Sequence, residues 1–387
     1  MRKGWEYKRF DEVFDLQMGK TPDRKNPEYF GGNNVWVSIR DLGDKEIADS
    51  NEHITDLAVS NSNIRKVKKG TVIMSFKLTV GKCGIAATDL YTNEAIMAFN
   101  TKESFNINSS FLYYYLQCYH WVGSNKAVMG ITLNKATISK QYISIPPLST
   151  QLAIVFELDK INELIRLKKE QLKDFDNLAQ SLFYEMFGDP VENEKGWEVS
   201  SVENVCSSIV RGPFGSALKK EFFVEPNSNT YKVYEQKHAI QKDAKIGSYY
   251  VTEEKFKELS RFEVKSGDII MSCSGTIGEL FIIPPNAEKG LMNQALLKFT
   301  LNNQIYKRFF LFLMDCVKKD FTVRGTGLQN IGSVKIIKAM TFGLPPLSLQ
   351  RLFAQRIEQI EREKSEVQKS IQDLETLLAS RMQYWFE

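Results

Sequence analysis

The sequence predicts an α+β protein in which two similar globular modules, built from mixed and partly antiparallel strands with helices, are separated by two long helices. These helices are expected to form an antiparallel intramolecular coiled coil, giving the chain approximate two-fold symmetry. Two observations lead to this prediction. A long helical pattern free of Pro and Gly occurs twice, beginning within the similar segments IPPLSTQ (residues 145–151) and LPPLSLQ (residues 344–350). The landmarks that precede each helix also recur in one order.

Length and composition narrow the class of protein. The 387 residues suffice for two or three domains, and 43% hydrophobic with 25% charged residues is ordinary for a globular protein. Because no apolar run is long enough to span a membrane and the N-terminal segment lacks a signal-peptide core, we expect a cytoplasmic protein without membrane association. The five dispersed Cys and three His indicate neither disulfides nor a metal centre. A net charge of +4 does not decide whether nucleic acid is a partner.

The elements of the two modules correspond one by one. The repeated landmarks KKGTVIMS (residues 68–75) and KSGDIIMS (residues 265–272) read as strands entered by glycine. The full order is a Gly-Trp opening (4–5 and 196–197), a Gly-containing loop (19–32 and 210–229), a strand candidate (35–42 and 230–240), an apolar strand (71–77 and 268–274), a helix (from Phe111 and from Tyr306) and a closing Pro-Pro segment (143–147 and 342–346).

These landmarks set the expected domain boundaries. The first module should occupy residues 1–147 and the second residues 190–346, while the helical segments should occupy residues 148–189 and 347–387. Apolar residues in both helices recur at alternating steps of three and four, which is typical of a coiled-coil seam. The predicted seam residues are Ile154, Leu158, Ile161, Ile165, Leu172, Phe175, Phe353, Ile357, Ile360, Val367, Ile371 and Leu374.

The seam is interrupted by Lys168 in the first helix and by Lys364 and Arg381 in the second. These residues either extend to water from the edge of the seam or fix the register of the two helices, and both interpretations stay open. A helix of about 35 residues is roughly 50 Å long. Two modules held apart by such helices could read two half-sites on one DNA duplex, with the helices acting as a ruler.

No catalytic constellation is evident in the sequence. A G-x-G-x-x-G segment after a strand, a Walker A loop, and an acidic or amide residue followed by Pro-Pro and an aromatic residue are all missing. The three His do not fit a Ser/His/Asp triad, and no acidic pair with a Lys suggests a nuclease. The chain is therefore interpreted as non-catalytic, with no metal and no cofactor of its own.

The loops that differ between the modules carry side chains suited to DNA. Arg40 could bond a guanine, Asp41 could accept from a cytosine and Gln236 suits an adenine, although ordinary surface polarity is the alternative for any single residue. The full set of candidates is Lys20, Thr21, Arg24, Ser38, Arg40, Asp41, Lys77, Lys82, Arg211, Phe214, Ser216, Lys219, Lys220, Gln236, Ser274 and Thr276, with Lys219 and Lys220 expected at phosphates.

With these features in order, the whole chain resembles the specificity subunit of a type I restriction-modification system. The resemblance rests on the Gly-Trp openings, the GKTP and GPFGS loops, WVSIRDL, the GTIG-type turn, and the repeated PPLS-x-Q segment with its long helix. It implies two target recognition domains that each read half of a split asymmetric site in double-stranded DNA. It also implies helical spacers that bind two methyltransferase (modification) subunits, with restriction/translocase subunits in the full complex.

By the same resemblance, S-adenosylmethionine, ATP and Mg would belong to those partner subunits. Exposed seam helices could let the isolated chain form a homodimer. Two other functions stay open at this point: a coiled-coil interaction scaffold without a DNA role, and a stand-alone enzyme acting on nucleic acid. The bases of the target and the length of the gap do not follow from the sequence.

Overall fold

The structure is a computed structural model that describes residues 2, 4–122, 126–127, 130–131, 133–214, 216–318 and 334–387 of the chain. The chain forms two compact units: unit 1 contains Met1–Lys169 and Lys369–Glu387, and unit 2 contains Glu170–Gln368. Both units combine helices with mixed sheets, which confirms the predicted α+β class.

Unit 1 begins with the globular module and then enters the first long helix. Its elements are β1 (Glu6–Arg9), α1 (Phe10–Val13), β2 (Phe14–Met18), β3 (Phe30–Val37), β4 (Glu46–Ile47), β5 (His53–Ile54), α2 (Asp56–Ser62), β6 (Val72–Ser75), β7 (Cys83–Ala86), β8 (Tyr91–Thr92), β9 (Ile96–Thr101), α3 (Ser109–Cys118), β10 (Lys126–Ala127), β11 (Gly130–Ile131), α4 (Lys135–Ser139), β12 (Tyr142–Ile145) and the start of α5 (Leu148–Phe187). Short 3-10 turns occupy Pro27–Tyr29 and Ile39–Asp41.

Unit 2 repeats this plan after the end of α5. Its elements are β13 (Glu198–Ser201), β14 (Cys206–Arg211), β15 (Thr230–Tyr234), α6 (Gln236–Gln241), β16 (Tyr250–Thr252), α7 (Glu253–Glu258), β17 (Glu263–Val264), β18 (Ile269–Ser272), β19 (Leu280–Ile282), β20 (Gly290–Met292), β21 (Leu296–Leu301), α8 (Lys307–Val317), α9 (Val334–Lys338), β22 (Thr341–Leu344) and the start of α10 (Leu347–Phe386). Its 3-10 turns are Lys220–Phe222 and Ser260–Phe262.

The sheets of the two units correspond. Unit 1 has a sheet of order β2-β9-β6-β7-β4, and unit 2 has the equivalent β14-β21-β18-β19. A second sheet, β5-β3-β8 in unit 1 and β16-β15-β20-β17 in unit 2, contains one parallel pair, β3 with β8 or β15 with β20. The opening strand pairs antiparallel with the closing strand in both cases, β1 with β12 and β13 with β22.

Two strand candidates end earlier than the sequence indicated. In unit 1 the strand stops at Val37 and the 3-10 turn Ile39–Asp41 follows. In unit 2 the strand stops at Tyr234 and α6 begins at Gln236. The physical reason is a capping arrangement at each strand end, in which Asp41 or His238 accepts the backbone N–H three residues before it and starts a helical turn.

The long helices α5 and α10 pack together and run antiparallel. In unit 1, the Arg381 guanidinium and the Trp385 indole, at 3.0 Å, both bind the Glu157 carboxylate near the start of α5. In unit 2, Phe353 packs on Phe187 near the end of α5, with ring centroids 5.4 Å apart. Residues late in α10 therefore meet residues early in α5, and the reverse, as the sequence predicted.

The predicted seam residues line this packing. Those that are buried are Ile154, Leu158, Ile161, Ile165, Phe353, Ile357, Ile360, Val367 and Ile371, while Leu172, Phe175 and Leu374 are half-buried. Two of the polar interruptions form ion pairs between the helices, Lys364 with Asp176 in unit 2 and Arg381 with Glu157 in unit 1. These pairs favour a role in register over simple extension to water.

The repeated PPLS-x-Q segment attaches each long helix to its module. Gln151 is 1% exposed and Gln350 is 0% exposed. The Gln151 carbonyl oxygen accepts the N–H of Asn108, and its amide donates to the carbonyls of Asn106 and Pro146 (2.9, 3.1 and 3.0 Å). Gln350 makes the same three bonds in unit 2. A buried amide with all of these bonds satisfied locks the start of the helix to the neighbouring helix α3 or α8.

Candidate nucleic-acid interface

A turn centred on an asparagine brings several loops together in each unit. In unit 1 the Asn93 N–H donates to the Val37 carbonyl at the end of β3 (3.0 Å), and the Asn93 side chain accepts the Ala95 N–H (3.0 Å). The Phe76 N–H donates to the Ala95 carbonyl (3.0 Å), so the turn also holds the hairpin between β6 and β7. The residues after β3 and those of the hairpin are therefore kept side by side.

Unit 2 contains the same hydrogen-bond frame. The Asn293 N–H donates to the Tyr234 carbonyl (2.9 Å), and the Asn293 side chain accepts the Ala295 N–H (3.0 Å). The Cys273 N–H donates to the Ala295 carbonyl (2.8 Å). The frame thus belongs to the repeated plan and not to one module.

A glycine starts the first loop because the backbone passes directly over this turn. A Cβ atom added at Gly19 would lie 2.2 Å from the Asn93 carbonyl oxygen, and one at Gly212 would lie 1.8 Å from the Asn293 carbonyl oxygen. Both distances are far inside van der Waals contact, so a side chain would displace backbone. Only glycine allows the first loop to leave from the frame in each unit.

A buried serine closes the hairpin of each unit. The Ser75 hydroxyl, fully buried at the end of β6, donates to the Thr79 carbonyl. The Ser272 hydroxyl donates to the Thr276 carbonyl in the same way (2.6 Å). The candidate surface of each unit consequently has three parts: loop A (residues 19–29 and 212–222), loop B (residues 38–41 and 235–238) and hairpin C (residues 76–82 and 273–279).

In unit 1, Arg24 on loop A is already engaged with protein groups. Its guanidinium forms a two-point ion pair with Glu52 (2.6 and 2.9 Å) and lies 5.1 Å from the centroids of both the Phe30 and Trp36 rings. The hydrogen bond from Arg24 lowers the pKa of the Glu52 carboxyl. Because exposed ion pairs of this kind contribute little, a phosphate or a base edge could replace Glu52 as the partner of Arg24.

A second carboxylate, Glu94, gathers three of the predicted residues. The Thr21 hydroxyl donates to Glu94, and the charges of Lys77 and Arg24 act on it. Partial burial alone would raise the pKa of Glu94, but the Thr21 hydrogen bond and the two cations outweigh it and lower the pKa. Loop A therefore contacts this carboxylate through Thr21, and the charge of Lys77 on hairpin C acts on it.

Sequence reasoning missed both Glu52 and Glu94. A signal for Glu94 existed, because its segment TNEAIMAF (residues 92–99) is similar to MNQALLKF (residues 292–299) in the second module.

Asp41 stabilises loop B through hydrogen bonds to neighbouring residues. One carboxylate oxygen accepts the Ser38 N–H and hydroxyl (2.7 and 2.8 Å), and the other accepts the Asn51 N–H and side-chain amide (2.9 and 2.6 Å). Burial raises the pKa of Asp41, yet these hydrogen bonds outweigh it and lower the pKa. Readout of a cytosine by Asp41 stays a prediction and would require some of these bonds to open. The neighbouring Arg40 is exposed.

In unit 2 the equivalent capping residue is a histidine. His238 is fully buried, its Nδ1 accepts the Glu235 N–H (2.9 Å), and its Nε2 lies 2.7 Å from the Ile246 carbonyl oxygen. This geometry fits the neutral ring with the proton on Nε2. Burial lowers the pKa of His238, which keeps the ring neutral.

In unit 2, the side chain of Gln236 at the start of α6 carries an unsatisfied polar atom. Its side-chain oxygen is buried and lacks a hydrogen-bond partner among the described residues. A Cβ atom at Gly275 of hairpin C would lie 3.8 Å from its side-chain nitrogen, so loop B and hairpin C adjoin here. An unsatisfied oxygen of this kind costs about 1–3 kcal/mol, which a hydrogen-bond donor such as the adenine amino group would offset.

The remaining predicted residues are distributed over the three parts. Arg211 donates to the Gln294 carbonyl in a long contact (3.5 Å), and Lys219 forms an exposed ion pair with Glu221 (3.5 Å). Lys20, Lys82, Phe214, Ser216, Lys220 and Thr276 are exposed, and Ser38 and Ser274 are half-buried. Thr21 binds Glu94, on which the charges of Arg24 and Lys77 also act, whereas Lys219 and Lys220 lie at the far end of loop A.

The outer face of α5 is a different kind of surface. Leu152, Phe156 and Leu167 are exposed on the helix face opposite the seam, and Leu164 is exposed at the side of the seam; Phe156 is 66% exposed. The equivalent positions of α10 are Arg351, Gln355, Glu363 and Glu366, all exposed. The two helices therefore share a seam but present an apolar outer face in unit 1 and a polar one in unit 2.

Two copies of one loop-bearing frame, each joined to a long paired helix, define a tandem-module protein. A family model for the type I restriction modification DNA specificity domain matches residues 2–174 and 194–376. The chain belongs to this family, as the resemblance predicted. Of the described helices, none combines the length and apolar character that a membrane crossing requires.

Relatives and solved structures agree with this family. The type I restriction enzyme MjaIX specificity subunit of Methanocaldococcus jannaschii is 25% identical over 379 aligned residues, covering 91% of this chain and 85% of the relative. A putative type I restriction enzyme MjaX specificity subunit of the same organism is 22% identical over 267 residues, covering 66% and 62%. A structure solved in work on complex assembly of the type I R-M system aligns over 100% of this chain and 98% of that chain, with a TM-score of 0.68 and 16% identity.

Proposed function

We propose that this chain is the DNA-reading subunit of a type I restriction-modification complex and that each unit reads one half of a split, asymmetric site. The observation that supports this most directly is the repeated frame. The turns at Asn93 and Asn293 hold the same backbone bonds in both units, while loops A and B and hairpin C carry different side chains. A constant scaffold with variable polar loops suits two modules that read different bases.

The chemistry of the loops fits contact with duplex DNA. Unit 1 offers the exposed cations Lys20, Arg40 and Lys82, and unit 2 offers Lys219 and Lys220. Cations of this kind bind phosphates and place a protein on the duplex, whereas side chains such as Arg40 and Gln236 can read base edges. Since the two sets differ, the two half-sites should differ as well.

The paired helices would set the gap between half-sites. Each of α5 and α10 has 40 residues, which corresponds to about 60 Å of helix. Insertion of one heptad between Lys169 and Glu170 together with one between Gln368 and Lys369 keeps the 3,4 pattern and adds about 10 Å. We expect a longer gap, with both half-sites unchanged.

The outer faces of the helices would bind the catalytic partners. The apolar face at Leu152, Phe156 and Leu167 would take a modification subunit through apolar contact. The polar face of α10 at Arg351, Glu363 and Glu366 would take the second copy through charged and polar contacts. Restriction subunits would join this core, and S-adenosylmethionine, ATP and Mg would be bound by the partners.

Co-expression with a cognate modification subunit, followed by sequencing of methylated DNA, tests this function. We expect one methylated motif with two different halves and a gap of fixed length. Arg40→Ala should relax the bases read in one half and Gln236→Ala those in the other, while Arg261→Ala, at an exposed site in the 3-10 turn Ser260–Phe262, serves as the control. A continuous motif, or methylation by the purified chain alone, would contradict the proposal.

A further inference from the structure

Two bulky apolar side chains project into solvent from the candidate DNA surfaces, one in each unit. Leu78 at the tip of hairpin C in unit 1 is 84% exposed, and Phe214 on loop A of unit 2 is 91% exposed. A single exposed apolar residue is ordinary on a protein surface. These two differ because of where they lie and because of how the backbone holds Leu78.

Leu78 has a backbone conformation that disfavours leucine. Its φ is +62°, in the left-handed region, and the equivalent position in unit 2 is Gly275 with φ +65°. Left-handed conformations are unfavourable for residues with a Cβ and common for glycine. Since the hairpin of unit 2 forms the same turn with glycine, leucine is not required to build it. Formation of the turn therefore does not explain why leucine occupies position 78.

The surroundings of both side chains point toward DNA. Leu78 follows Lys77 on hairpin C. The turn that binds the Phe76 N–H at the base of this hairpin also binds the carbonyl at the end of β3, so Leu78 projects beside the loops that carry candidate DNA residues. Phe214 lies in loop A two residues after Gly212, as Thr21 lies two residues after Gly19. Each unit thus presents one apolar side chain among polar and cationic ones, but from a different loop.

We propose that Leu78 and Phe214 are wedge residues, each of which inserts between two adjacent base pairs of the half-site that its unit reads. This inference rests on the proposed DNA-reading function and deepens it. Cations beside each wedge would hold the phosphates while the apolar side chain leaves water and contacts the faces of partly unstacked bases. Flexible pyrimidine–purine steps unstack most easily, so a wedge would favour such a step without hydrogen-bonding any base.

The test uses the complex of the full chain with its modification subunits and a duplex that contains its own methylated motif. Leu78→Gly places in unit 1 the residue that unit 2 already uses, so the fold should keep its Tm or gain in Tm. DNA affinity should nevertheless fall roughly 5- to 100-fold, the range of one lost base contact. Phe214→Gly should weaken binding similarly, and Val122→Ala, which trims another exposed apolar residue of unit 1, should have no effect.

The adenine analogue 2-aminopurine, which brightens when unstacked, locates each wedge. With the analogue at positions other than the methylated adenines, we expect a bright site in each half of the motif. Leu78→Gly should quench the site in one half and Phe214→Gly the site in the other. Unchanged affinity and fluorescence in Leu78→Gly, with normal binding by the unsubstituted complex, would overturn the wedge.

Other outcomes have distinct meanings. Weaker assembly with the modification subunit and unchanged DNA affinity would make Leu78 a protein contact and overturn the inference. If the unsubstituted complex itself bound no split site, the proposed function would fail and the wedge with it.

Discussion

Units 1 and 2 show how one framework can carry two different surfaces. The Asn93 and Asn293 turns make the same backbone bonds, and Gly19 and Gly212 start loop A against them. The side chains above this framework differ at equivalent positions: Asp41 against His238, and Leu78 against Gly275. Equivalent substitutions in the framework of unit 1 and of unit 2 should therefore have similar effects. Equivalent substitutions in the loops and on the outer helix faces should have different effects in the two units.

The largest effect is expected at the buried glutamines. Gln151→Leu or Gln350→Leu would remove three hydrogen bonds and leave backbone groups unsatisfied inside the protein, which should lower the free energy of unfolding by about 3–5 kcal/mol in each case. Urea unfolding measures this loss, and Gln355→Leu at an exposed site of α10 is the control. If the free energy of unfolding fell by a large amount in one variant and by a small amount in the other, the two frameworks would not be equivalent.

A somewhat smaller loss is expected at the glycines of the frame. Gly19→Ala or Gly212→Ala would force a methyl group onto the carbonyl of the asparagine turn, with a destabilisation of about 1–3 kcal/mol and displacement of loop A. Gly43→Ala is a suitable control, because a Cβ there has open space around it. Unfolding and DNA affinity should both report the change. Tolerance of alanine in either unit would show that loop A does not depend on this close approach.

The outer faces of the helices should respond differently. Phe156→Glu would place a charge in the apolar face of α5 and should weaken assembly with the modification subunit by about tenfold or more, since burying an unpaired charge is unfavourable. The matched change on α10, Gln355→Glu, should alter assembly little. Calorimetry with the purified modification subunit gives both affinities. Equal effects of the two changes would mean that the outer faces bind alike.

The smallest effect concerns pH. Burial lowers the pKa of His238 below its ordinary value of 6.5, so the unfolded chain takes up a proton more readily than the folded one. Its contribution to stability is full above pH 6.5 and is lost as the pH falls further. The pKa of Asp41 is lowered from 3.8, so loop B of unit 1 should stay intact until the pH falls below that value.

Hydrogen exchange can separate the two loops. As the pH falls through the lowered pKa of His238, and after correction for intrinsic rates, the Glu235 N–H should exchange faster because protonated Nδ1 of His238 no longer accepts it. The Ser38 N–H should remain protected over the same range. His238→Asn, which offers an acceptor that does not titrate, should remove the difference, and a persistent difference would assign the pH effect to another group.

Much of the fold could be predicted because it depends on repetition. The helices α5 and α10 follow from the 3,4 spacing, and the loops follow from landmarks that occur twice. The contacts of Arg24 with Glu52 and of Thr21 with Glu94 could not be predicted, because these residues meet only after distant loops converge. Leu78 was equally hidden, since leucine carries no turn signal and its left-handed backbone is set by the hairpin.

The outer face of α5 was within reach of the sequence. Leu152, Phe156 and Leu167 fall on one helix face, away from the seam, so the helical spacing alone indicates this second set of apolar residues. A helix of a coiled coil can therefore carry exposed apolar residues in addition to those of its seam, and the spacing of the sequence indicates both sets.

The hydrogen-bonded side chains of Gln151 and Gln350, here called amide clamps, also fix the rotation of each module about its long helix. Because each clamp fixes the start of a long helix to α3 or α8, a module cannot swivel about its helix. Any change in helix length therefore turns the module as well as moving it. Seven added residues turn it by about 20°, whereas four turn it by about 40° at 3.6 residues per turn. Under the proposed function, the gap between the two half-sites should therefore change only in steps that keep loops A and B and hairpin C of both units facing the groove of the DNA.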